Sequence, residues 1–266
     1  MDKLTEKAAA LLREGAATLV IGYGEDKGNK TRPLFCRIPE EAARLVYDGR
    51  CIHNLAVYLT KPELLGAGRT AVVATIPVLR SILQLAAENQ LSEDKLLVLT
   101  VADGEVMQFD TFAAVESYLT GFDFRLGEKE RELIDRLEGM SREERWEFWK
   151  EQLEPCFKCY ACRAACPLCY CTRCVVEINC PQWVQPWAGT LPNIEWHINR
   201  AMHMAGRCTG CGACGEACPL GIPIHLLTQK LLEDVDAEFG AKSGTLGQKG
   251  NALSTFDPSD KENFIR

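Results

Sequence analysis

Twelve of the chain's 14 cysteines fall between Cys156 and Cys218, inside 63 of its 266 residues. Cys156-Phe157-Lys158-Cys159-Tyr160-Ala161-Cys162-Arg163-Ala164-Ala165-Cys166-Pro167 reads C-x2-C-x2-C-x3-C-P, and Cys208 to Pro219 repeats it. This is the bacterial ferredoxin run for a [4Fe–4S] cluster. Two-residue gaps let a tight loop wrap three thiolates around one cubane and aim backbone N–H groups at its sulfurs. The fourth cysteine, three residues on and followed by proline, heads elsewhere and ligates the other cluster. Zinc sites favour paired C-x2-C hooks instead. The spacing therefore predicts two clusters, one on Cys156, Cys159, Cys162 and Cys218, the other on Cys208, Cys211, Cys214 and Cys166.

A disulfide framework would spread its cysteines along a short secreted chain. This chain does neither, and its start, Met1-Asp2-Lys3-Leu4-Thr5-Glu6-Lys7, is charged and lacks an apolar signal region. A cytoplasmic setting with metal-bound thiolates is expected. The net charge of -7 argues against nucleic-acid binding. No apolar run approaches the roughly 18 residues of a membrane helix, so no membrane span is expected.

An insert of 41 residues, Pro167 to Arg207, separates the two motifs. Its Cys169, Cys171, Cys174 and Cys180 are spaced C-x-C-x2-C-x5-C. Four soft thiolates suit a third [4Fe–4S] cluster or a structural zinc, and unligated thiols are the third option. Trp183, Trp187, Trp196, His197 and His203 read as packing over the ferredoxin core. Lys158, Arg163, Arg173 and Arg207 are either charge-offsetting neighbours of the clusters or solvated side chains. Cys36 and Cys51 stand apart from the motifs and read as buried and inert.

The rest of the chain has a different character. Residues 2–14 predict a helix, and Ala16 to Tyr23 a buried strand ending in a glycine turn. Gly22, Gly24 and Gly28 have the wrong spacing and no following helix for a dinucleotide fingerprint. Residues 40–47 suggest a helix. Thr70 to Ala74, Pro77 to Asn89 and Leu96 to Val101 read as strand, crossover helix and strand, which implies a parallel sheet under helices. Asp103-Gly104 is a turn, and a helix follows from Thr111 to Leu119. A charged helix begins near Gly127 and is interrupted at Gly139. Ser141 to Glu144 then fits a capping box, with Trp146, Trp149 and Leu153 on one side of the second helix as a packing stripe. The expected organisation is an α/β N-terminal domain (1–126), a helical linker (127–155) and a bacterial-type dicluster ferredoxin (α+β) domain. That last domain spans 156–239, contains the cysteine-rich insert 167–207 and closes with an amphipathic helix near 223–235. The tail, 240–266, lacks periodicity and reads as disordered, or as an arm that orders on a partner.

The cysteine region from Cys156 through Cys171 resembles iron–sulfur beta subunits of coenzyme F-420 (deazaflavin) hydrogenases and dehydrogenases. It is also similar to those of formate dehydrogenases and of heterodisulfide-reductase-linked complexes of anaerobes. His197 to Cys208 is similar to the run before the second motif there, and Cys51 to Leu59 and Arg80 to Gln90 echo the same family. The resemblance implies an electron-transfer subunit of a multi-subunit anaerobic oxidoreductase, partnered by a formate dehydrogenase, hydrogenase or heterodisulfide-reductase type module. It implies no catalytic residue in this chain. It also associates the first domain with flavin or deazaflavin chemistry, the basis for the alternative of a flavin-dependent subunit exchanging hydride with a soluble coenzyme. Where the family carries a Lys-Gly-Cys-Asp-Ser-Arg-like segment, this chain has Thr75-Ile76-Pro77-Val78-Leu79-Arg80 and keeps only the arginine. A metal-stabilised structural adaptor is the remaining alternative.

Overall fold

A computed structural model describes residues 3–122, 127–178 and 180–247. Its first part is a six-stranded mixed sheet. Helix α1 (Lys3–Arg13) precedes strands β1 (Leu19–Glu25), β2 (Thr31–Cys36) and β3 (Leu45–Val46). Strand β4 (Thr70–Val73), helix α2 (Ile76–Ala87), strands β5 (Leu96–Ala102) and β6 (Glu105–Phe109), and helix α3 (Phe112–Leu119) complete it. β1, β4 and β5 are parallel, with α2 crossing between the last two, while β2 and β6 add antiparallel edges. The parallel strands are covered on both faces, which is why β4 and most of β1 and β5 are continuously buried apolar runs.

Two readings of this region change. The first strand does not stop at a glycine turn but runs through Gly22 and Gly24 to Glu25. A Cβ at Gly22 would come within 2.3 Å of the Leu45 side chain and 3.1 Å of Val73. The glycine is there for close packing, and the chain reverses later, at Gly28 (φ 67°). Residues 40–47 form not an α-helix but a 3-10 turn, Pro39–Arg44, running into β3. β3 pairs with Tyr23 and Gly24, beyond the end of β4 along the same edge of β1, so sheet pairing overrides local helix preference.

Helices α4 (Glu128–Glu138) and α5 (Arg142–Leu153) follow, and α5 starts in a full Ser141–Glu144 capping box. Its stripe is only partly a packing surface, since Leu153 is buried but Trp146 is 47% exposed. The cysteine-rich part contributes α6 (Ala161–Ala164), α7 (Val175–Ile178), α8 (Thr190–His203), α9 (Ala213–Glu216) and α10 (His225–Phe239). Arg131 of α4 pairs with Glu233 of α10 at 2.6 Å, tying the charged helix to the cysteine region. Trp183 and Trp187 are 69% and 62% exposed, so they do not cover the core as read from sequence, whereas Trp196 and His197 do pack inside. Among the described residues, no helix is long and apolar enough to cross a membrane.

The cysteine region is seated on the sheet domain through α2. Arg80 Nη1 donates to the Thr209 carbonyl at 2.6 Å, and the Ser81 and Thr209 hydroxyls meet at 3.0 Å. At the end of the same helix, Arg207 grips Glu88 with two bonds of 2.8 and 2.6 Å, and Tyr170 OH donates to Glu88 at 2.8 Å. Burial works to raise the Glu88 carboxyl pKa, but the hydrogen bonds from Arg207 and Gln84 outweigh it and hold it below the usual range. The start of the tail also lies here: Arg80 Nη2 donates to the Ser243 carbonyl and Gly244 N–H to Gln84. The tail expectation for 248–266 lies outside the described residues.

Candidate metal centre

The two C-x2-C-x2-C loops adopt one backbone shape. In the first, Lys158 and Tyr160 are left-handed (φ 55° and 59°), and in the second Gly210 and Gly212 occupy the same places (φ 69° and 72°). Glycine takes this conformation freely, whereas each non-glycine costs of order 1–3 kcal/mol. That strain at Lys158 and Tyr160 is held because a left-handed turn swings successive N–H groups to one side, forming a nest for an anion. The Lys158 N–H points to Cys156 Sγ and the Gly210 N–H to Cys208 Sγ, both at 3.4 Å. Each loop ends in a one-turn helix, α6 or α9, and these two pack together.

This packing brings the thiols of the two loops near one another. Cys156 lies beside Cys159 and Cys218, and Cys162 beside Cys156 and Cys159. Cys208, Cys211 and Cys214 all lie beside Cys166. Cys166 thus faces the three thiols of the second loop and Cys218 faces Cys156 of the first, while Cys214 also faces Cys162. Burial pushes the Cys208 thiol up to about 12 and Cys211 up to about 11, so binding metal here must displace protons. Among the described residues, no three His, Cys, Asp or Glu side chains converge tightly enough to hold a single ion. A cubane takes its thiolates at its outer corners and asks for a wider ring. The left-handed nests and the paired cysteine loops would suit such a group.

Helix α8 supplies polar groups to both loops. Asn193 is fully buried and donates to the carbonyls of Leu153 and Cys156 at 3.0 and 2.8 Å, fixing the entry to the first loop. His197, also buried, places Nε2 3.4 Å from Cys156 Sγ. Burial, helped by Arg200 and Lys158, pushes its pKa down to about 4. Arg200 is 5% exposed and donates from Nη2 to the Cys162 carbonyl at 3.2 Å, while its buried Nε has no partner. Burial alone would lower its pKa, yet Cys214, Cys166, Cys169 and Cys162 together raise it. Sequence reasoning passed over Asn193 and Arg200. The signal was a polar residue on the buried stripe of α8, which runs Asn193, Trp196, His197 and Arg200.

The charged neighbours sort themselves by position. Lys158 is buried and bonds the Gln185 carbonyl, Arg163 pairs with Glu177, Arg207 with Glu88, and Arg173 is exposed. Cys36 and Cys51 are buried in the sheet domain. Cys169, Cys171 and Cys174 line a cavity of about 230 Å³, and Cys180 is exposed and not part of that wall. A larger cavity, about 1290 Å³, opens beyond the carboxyl end of β4 and is lined by Thr75, Arg80, Cys166, Cys208 and Cys211 among others. In open α/β sheets this end of the parallel strands is the usual ligand side.

No protein-family model matches the chain. It is similar to the F420-dependent formate dehydrogenase subunit beta of Methanocaldococcus jannaschii, with 34% identity over 86 residues. That stretch is 32% of this chain and 22% of the relative, so the likeness reaches only part of either protein.

Proposed function

We propose that the chain is an electron-transfer subunit of an oxidoreductase complex, carrying two [4Fe–4S] clusters in a dicluster ferredoxin arrangement within residues 156–239. Cys156, Cys159, Cys162 and Cys218 hold one cluster, and Cys208, Cys211, Cys214 and Cys166 the other. The observation that carries this reading is the nearness of Cys166 to Cys208, Cys211 and Cys214, and of Cys218 to Cys156, across two loops of the same backbone shape. When bound, the clusters supply one-electron storage. The chain's own groups hold them and offset their charge. The resemblance to a formate dehydrogenase beta subunit supports a formate dehydrogenase type partner that carries the substrate chemistry; a hydrogenase or heterodisulfide-reductase type module is the alternative partner. Cys159 and Phe157 are exposed, which gives the first cluster an outward face.

The test is iron and acid-labile sulfide on protein purified without oxygen, followed by electron paramagnetic resonance after dithionite. At least about 8 iron per chain and reversible reduction are expected. Clusters that cannot be reduced would favour the structural adaptor instead. A flavin reading has its own support in the cavity of about 1290 Å³ beside Cys208 and Cys211. Stoichiometric flavin absorbance would make the chain a flavin-dependent subunit and end the pure relay.

His197 provides a finer test. An iron-bound thiolate carries no proton, so the His197–Cys156 contact requires Nε2 to donate. Such bonds stabilise the reduced, more negative cluster. His197→Phe keeps the ring and removes the donor. The expected result is a midpoint potential more negative by about 40 mV for one cluster, equivalent to a hydrogen bond of about 1 kcal/mol. An unchanged potential for both clusters would remove His197 from this role.

A further inference from the structure

The smaller cavity belongs to neither thiol quartet. Its wall brings Cys169, Cys171 and Cys174 together with Arg163, Arg200 and Arg207, and among the described residues no carboxylate lines it. Guanidinium groups stay protonated in proteins. Two of these are neutralised elsewhere, Arg163 by Glu177 and Arg207 by Glu88. Arg200 faces the Cys162 carbonyl and the thiols of Cys214, Cys166, Cys169 and Cys162, and its buried Nε bonds nothing. Three guanidinium groups on a wall that also carries three thiols suit an anion held among those thiols.

The size of the space selects the anion. A zinc ion sits about 2.3 Å from each sulfur, so thiolates closing on it leave no void. The cavity of about 230 Å³ equals roughly seven or eight water volumes at about 30 Å³ each. That is room for an inorganic core of several atoms. Its wall also includes Leu168, Val176 and Trp196. His203 lines the cavity from its exposed side, while Cys180 does not reach it.

We propose that the insert holds a third [4Fe–4S] cluster, with Cys169, Cys171 and Cys174 as thiolate ligands, His203 at the fourth iron, and Arg163, Arg200 and Arg207 as its counter-charges. Histidine ligation of iron–sulfur centres has precedent in Rieske sites. Cys169 lies beside Cys166, so the third cluster would abut a ligand of the second. The inference extends the two-cluster reading above and depends on it.

The test compares the wild-type chain with Cys169→Ser/Cys171→Ser/Cys174→Ser, His203→Ala and Cys180→Ser, all purified without oxygen. Iron and sulfide of about 12 per wild-type chain are expected, falling to about 8 in the triple variant. Three reducible spins per wild-type chain, against two, give the same answer without any variant having to fold. Cys180→Ser should keep the third signal, and His203→Ala should lose or alter it. About 8 iron and two spins in the wild-type chain would overturn the third cluster and leave the two-cluster reading standing. One zinc per chain, lost in the triple variant, would also overturn it. About 4 iron or less in the wild-type chain would sink both readings. Loss of the third signal in Cys180→Ser but not in His203→Ala would overturn the assignment of the fourth ligand.

Discussion

Replacing Cys218 by Ala is expected to remove the same paramagnetic signal as replacing Cys156, and Cys166→Ala the same signal as Cys208→Ala. Ligation within each motif predicts the opposite grouping, with Cys218 matching Cys208. Exchange follows from the packing of the two short helices. Proline follows each fourth cysteine, and Cys218 lies beside Cys156 and Cys166 beside Cys208, as the proposed exchange requires. Each variant should lose about 4 iron per chain. The loss should also be structural. The second hydrophobic cluster of the chain is small and is built around Cys162, Cys214, Trp196 and Ile222, with Cys156 and Cys218 against it. Binding energy at a metal site that is not preformed in the unfolded chain is folding energy; for structural zinc it reaches about 10–16 kcal/mol. The variants should therefore be cleaved by protease within residues 156–239 far faster than the parent chain, while the sheet domain persists. Retention of full iron by Cys218→Ala, or pairing of its lost signal with that of Cys208→Ala, would reject the exchanged arrangement.

The parts legible from sequence share a property: their signal is local. Helix α2 begins with Pro77 in its first turn, β5 opens with four consecutive apolar residues, and Ser141 and Glu144 form their capping box from four adjacent residues. The cysteine loops are local in the same sense, because spacing alone dictates which thiols one loop can gather. What sequence missed depends on distant neighbours. Gly22 lies within a strand because Leu45 and Val73 crowd it, and both are more than twenty residues away. β3 exists because β1 offers an edge beyond β4. Arg80, the one residue kept from the family-like segment, holds the Thr209 carbonyl 129 residues along the chain. A local pattern names ligands but not the second layer that orients them and sets their charge, and Asn193, His197 and Arg200 belong to that layer.

Arg200→Met is expected to shift the midpoint potential of the second cluster to more negative values by on the order of 100 mV, and to shift the first in the same direction. The sign follows from charge: reduction adds an electron, and a nearby cation stabilises the more negative state. At a separation of about 5 Å and an effective dielectric near 20, one unit charge is worth roughly 3 kcal/mol, or on the order of 100 mV for one electron. Arg200 acts on both sites because it faces Cys162 of the first quartet as well as Cys166 and Cys214 of the second. Arg200→Lys separates charge from packing. It restores the unit charge without the planar fork, so most of the potential should return even if the bond to the Cys162 carbonyl is lost. Redox titration followed by electron paramagnetic resonance reads both clusters in one sample. If Met and Lys shift the potentials equally, the arginine serves packing alone. If neither shifts them, its charge is screened from the clusters, and the unpartnered Nε answers to another anion.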